Sequence, residues 1–123
     1  LAPMGINLTR PSRDRLFARA RAASNDEVTY SPVGLAQHAA PPAGFELGVW
    51  SRRLGSGPAA FARTVDGLMS WKMHERAGLT VAAPGIAATG MVVAMAAPLP
   101  IGFVDETCSV VDTFDEPNCG GFS

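Results

Sequence analysis

Cys108 and His74 are the residues whose types could form a nucleophile and its base here, with Glu75, Asp112 or Glu116 to orient the imidazole. The surroundings of both point elsewhere. Cys108 lies among Thr107, Ser109 and Val110, a strand-like setting where cysteine serves as a small core residue, free cysteine being among the most buried types. His74 stands beside Glu75 and Arg76 near a helix end, where histidine acts as a terminal charge or a hydrogen-bonded surface group. Asp105-Glu106 and Asp115-Glu116 flank the same strand and raise paired-carboxylate chemistry or a cation site. Neighbours in a strand point to opposite faces, and turns take Asp and Glu-Pro for local reasons, so neither pair is assigned such a role. Cys108 and Cys119 lack zinc-site spacing and read as free thiols. Gly55-Ser56-Gly57 ahead of a helix offers N–H groups to an anion, but a tight strand-to-helix connection accounts for it. No catalytic residue, metal or cofactor is therefore assigned.

The main positioning element is the block from Leu54 to Leu79, LGSGPAAFARTVDGLMSWKMHERAGL. At helical periodicity Phe61, Thr64, Val65, Leu68 and Trp71 share one face, while Arg63, Asp66, Gly67 and Ser70 lie opposite. That face is expected to be buried and to anchor the core. Pro58 suits the first turn and Gly78 a left-handed C-cap. Met73 and His74 fall off the Phe61 stripe, so a bend near Trp71, or two consecutive helices, is expected.

With 123 residues, 47% of them hydrophobic and 17% charged, the chain fits a single soluble domain. A net charge of −1 gives no overall attraction to nucleic acid. Every Lys and Arg lies at or before Arg76. Arg10, Arg13, Arg15, Arg19 and Arg21 mark a short helix capped by Thr9 or Ser12, with Leu16, Ala20 and Ala23 as its apolar stripe. Its basic residues read as a solvated face, with a docking patch for a phosphate or an acidic partner as the alternative. Leu79 to Val104 carries no charge, but Pro84, Pro98 and Pro100 and Gly85, Gly90 and Gly102 break it below membrane-spanning length.

After the Arg-rich helix, Val28, Thr29 and Tyr30 lead into an irregular loop from Ser31 to Gly44 that holds Pro32, and strands are expected at Phe45 to Trp50, Leu79 to Ala83, Gly90 to Ala97 and Thr107 to Phe114. A turn from Glu116 to Gly121 follows. The order is that of an α+β fold with helices against one face of an antiparallel sheet.

Thr29-Tyr30 with Val33-Gly34, Gly55-x-Gly57 with Phe61, Leu68, Trp71, His74 and Ala77-Gly78, and Cys108 to Glu116 with Gly121-Phe122 together carry a resemblance over nearly the whole chain. The chain resembles domain of unknown function 1990, also called uncharacterised protein family 0548. The resemblance implies a helix-grip (Bet v 1-like or START-like) fold, in which a curved antiparallel sheet grips a long helix around an apolar cavity. In that family the Gly-Phe pair runs on into Tyr-Gly-Thr-Leu-Pro-Gly-His-Pro and a C-terminal helix, whereas this sequence stops at Ser123. Residues 1–123 are therefore expected to be the N-terminal portion of one incomplete domain, with the last strand an open edge through which copies self-associate.

On this basis a cytoplasmic domain is expected, binding an apolar or amphipathic small molecule through Phe61, Leu68, Trp71, Met95 and Val110. Nucleic acid and a membrane span are not expected. Two alternatives stand beside it: an enzyme whose catalytic residues follow Ser123, and an interaction module using the Arg-rich helix.

Overall fold

Ser12 starts the first helix: its backbone is extended and its hydroxyl accepts from the Arg15 N–H at 3.2 Å, satisfying a donor that a first turn leaves open. The computed structural model describes residues 4–29, 31, 33–37 and 40–123. The helix, α1 (Arg13–Ala22), buries Leu16 and Ala20, and Ala23 is buried just beyond its end, as the apolar stripe requires.

Leu16 and Ala20 sit on Ala82, Ala94 and Ala96 of a four-stranded sheet, where small side chains on both surfaces let helix and sheet approach closely. The strands are β1 (Gly5–Asn7), β2 (Thr80–Ala82), β3 (Val92–Pro98) and β4 (Phe103–Ser109). Their order is β1-β4-β3-β2, antiparallel throughout. A turn links β3 to β4 with the Leu99 N–H on the Gly102 carbonyl at 2.9 Å, and Gly102 takes φ 79° where a Cβ would strike the Asn7 carbonyl. A hairpin of β5 (Thr113–Glu116) and β6 (Cys119–Phe122) follows, tied back by the Val111 N–H on the Ser123 carbonyl at 2.6 Å.

The α+β class and the antiparallel sheet stand as expected, but the helices do not share one face. Ala82, Ala94 and Ala96 meet α1, while the alternating Val81, Val93 and Met95 turn toward Trp71 on the other side. Because β2 and β3 are apolar on both faces, both must be covered. The Phe61 helix is not the core anchor either. It forms α2 (Pro58–Met69), has no fully buried residue, and among the elements touches only α3 (Lys72–Arg76) and β6. A two-stranded hairpin offers it too little surface: Val65 and Leu68 reach Gly120 and Gly121 while Phe61 stays 39% exposed.

Phe45 to Trp50 forms no strand, because no neighbour pairs with its backbone among the described residues; Val49 and Trp50 are 77% and 90% exposed. Val28 and Thr29 are irregular too, while Tyr30 and Pro32 lie outside the described residues. The run from Thr107 to Phe114 splits at Asp112, whose Oδ1 accepts the Thr113 N–H at 2.8 Å and turns the chain from β4 into β5. Of the strand expected to be open, the β4 part lies inside the four-stranded sheet, while the β5 part pairs with β6 alone. The edges of the four-stranded sheet are β1 and β2, each three residues long and so a short template for pairing.

Asp105 in β4 is fully buried. Its Oδ1 faces the Arg19 guanidinium of α1, and its Oδ2 accepts from Asn7 Nδ2 at 2.5 Å. Gly5 lies opposite in register, and a Cβ there would stand 2.5 Å from that Oδ1 and 2.6 Å from Arg19 Nη1. Asp105→Ala removes the buried ion pair with Arg19 and the acceptor of the Asn7 hydrogen bond, and is expected to cost about 3–5 kcal/mol in urea unfolding. The double replacement Arg19→Met with Asp105→Leu is expected to recover most of that loss; a double variant as unstable as the single one would count against the ion pair as its cause.

Candidate functional site

Trp71 is where α2 turns into α3. It takes the left-handed conformation at φ 68°, which a bulky residue adopts at a cost of about 1–2 kcal/mol. Of the two arrangements expected near Trp71, a bend or two consecutive helices, the chain takes the second. Gly78 closes α3 at φ 96°, with the Leu79 N–H on the His74 carbonyl and the Gly78 N–H on the Glu75 carbonyl, the paired bonds of a Schellman cap.

The break swings the Trp71 indole under the sheet, where it is 4% exposed and donates from Nε1 to the Gly85 carbonyl at 2.9 Å. Phe122 lies 4.9 Å from it and His74 5.2 Å, ring centre to ring centre, and His74 stacks on Phe122 at 5.8 Å. Val81, Ala87, Val93 and Val110 complete the buried cluster, with Met91, Met95 and Cys108 packed at its margin.

Of the five expected ligand-lining residues, Trp71, Met95 and Val110 meet in this cluster, whereas Leu68 rests on Gly121 and Phe61 lines a shallow recess with Arg52 and Leu54. Trp71 and Val110 contact protein on almost every side, each 4% exposed. Cys108 and His74 border the same cluster without the electrostatics of a nucleophile and base. Burial pushes the Cys108 thiol up, and Glu106 pushes it further in the same direction, so the sulfur keeps its proton. Burial lowers the His74 pKa, and its Nδ1 is enclosed without a hydrogen-bond partner among the described residues. Among the described residues no three His, Cys, Asp or Glu side chains gather to hold a metal ion, and no helix is long and apolar enough to cross a membrane.

A groove of about 380 Å³ runs between α1 and the start of β3, walled by Phe17, Ala20, Met91 and Val92, with Arg21 and Thr89 also on its lining. Sequence reasoning missed it, although Phe17, Ala20, Arg21 and Ser24 recur at helical spacing beside the Leu16 stripe. The arginines of α1, and Arg10 just before it, are not a uniformly solvated row. Arg19 binds Asp105, Arg13 pairs with Glu75 of α3, and Arg10 donates to Thr80 Oγ1 at 2.7 Å while lying 4.8 Å over the Phe103 ring.

These features define a small α+β domain with helix α1 laid on an antiparallel sheet. Residues 29–123 match the family described as Domain of unknown function (DUF1990), and the chain belongs to that family. The match begins after β1 and α1, so Asn7 and Arg19 lie outside the matched stretch while Asp105 lies inside it. No curated protein and no solved structure matches the chain.

His74 titrates below its ordinary value in the folded state, so acid favours the unfolded chain. Its stabilising contribution is complete above the unfolded value of about 6.5 and is lost as pH falls through the lower folded one. Urea midpoints taken from about pH 7.5 to about 5.5 should therefore fall more for the wild type than for His74→Gln. Equal slopes would show that His74 is not desolvated. Trp71→Ala should cost about 3–5 kcal/mol on the same assay.

Proposed function

We propose that this domain binds an apolar or amphipathic small molecule between helix and sheet, in the groove walled by Phe17, Ala20, Met91 and Val92. The observation that carries this reading is the groove itself: about 380 Å³ in volume and mostly apolar in its walls, with Arg21 and Thr89 alongside. Volumes of this order suit a small ligand, and a few polar groups on an apolar wall fix its orientation. Met91 adds an adaptable thioether wall. The resemblance to helix-grip folds, which hold apolar ligands between sheet and helix, supports the same function with a different lining from the five residues first expected. A cytoplasmic setting fits Cys108 and Cys119 as free thiols.

Ala88 is exposed on the groove wall, so Ala88→Trp fills the groove without disturbing the core. Nile red, a neutral apolar probe, should fluoresce on the wild type and bind at least about tenfold more weakly to Ala88→Trp, a difference of about 1.4 kcal/mol. Binding that survives the substitution unchanged would remove the groove as the site.

A further inference from the structure

Folding α3 back at Trp71 leaves a second cavity, of about 440 Å³, between α2 and α3. It shares no lining residue with the α1 groove. Arg63 enters it from α2, and Lys72 and Arg76 enter from α3, where four-residue spacing sets them on one face. Asp66 is the carboxylate on its wall, and its contact with Lys72 is long at 3.4 Å, both side chains being largely exposed. Exposed pairs of that kind hold weakly. Arg63 and Arg76 make no hydrogen bond or ion pair among the described residues.

Three cations facing one anion in a concave surface keep its potential positive and concentrate anions there. The planar forks of two unpaired guanidinium groups match the oxygens of a carboxylate or a phosphate in pairs. Beside them Leu54 and Met73 remain 58% and 39% exposed, an apolar wall adjoining the charge.

We infer that this corner binds an amphipathic anion, its carboxylate or phosphate oxygens held by Arg63, Arg76 and Lys72 and its apolar part laid on Leu54 and Met73. The face of α2 that periodicity assigns to solvent is thereby a binding face.

Calorimetric titration with decyl phosphate below its micellar concentration, with decanol and with inorganic phosphate tests the inference. Decyl phosphate should bind at least about tenfold more tightly than either of the others, and Arg63→Gln with Arg76→Gln should weaken it at least about tenfold. Because neither arginine has a partner to lose among the described residues, the double variant should keep its circular dichroism and urea midpoint. Arg63→Lys, which keeps the charge and loses the fork, should cost less affinity than Arg63→Gln. Equal binding of decanol would remove the role of charge, and equal binding of inorganic phosphate would remove the apolar wall. Unchanged affinity in the double variant would overturn the site. The Ala88→Trp protein should bind decyl phosphate as the wild type does, so failure of the groove and failure of this corner are read separately.

Discussion

A carboxylate with no access to water needs a cation and hydrogen-bond donors, and in this fold Asp105 obtains them from two other elements. Arg19 brings α1 onto the sheet, and Asn7 brings β1 alongside β4. Gly5 is where it is because any side chain there would displace the pair. The position of α1 then sets one wall of the groove, since Phe17, Ala20 and Arg21 belong to the same helix. A single buried charge thus links the register of an edge strand to the shape of the groove beside α1.

The other face of the sheet depends on Trp71. A left-handed tryptophan is an unfavourable backbone state held by what the side chain gains: burial, a hydrogen bond to Gly85 and contact with Phe122 and His74. The same break that buries the indole sets α3 against α2 and opens the corner between them. Packing on one side of Trp71 and a cavity on the other have one cause.

Local signals in the sequence were read well where a few residues decide the outcome. The Ser12 cap, the alanine-rich stripe of α1, the interruption at Trp71, the Gly78 stop and the placement of β2 and β3 all depend on neighbours within about one or two helical turns. Asp105 was legible only as one of a flanking acidic pair, because its hydrogen-bond partner Asn7 lies 98 positions away. β1 is a three-residue strand with no pattern long enough to see. Phe45 to Trp50 has the alternation of a strand and, among the described residues, no strand to pair with, since periodicity reports which side chains would share a face and not whether a neighbour exists. Likewise the Phe61 stripe marked a face without fixing how much surface would meet it, and the hairpin at Gly120 and Gly121 covers only the Val65 and Leu68 part.

Amide hydrogen exchange on the wild type and Arg19→Met would show whether one buried charge holds both elements. Loss of Arg19 should reduce protection together in α1 and in β1, while β3, enclosed between β4 and β2, keeps most of its own. Faster exchange confined to α1, with Gly5–Asn7 as protected as before, would contradict the dependence of β1 on the Asp105 pair.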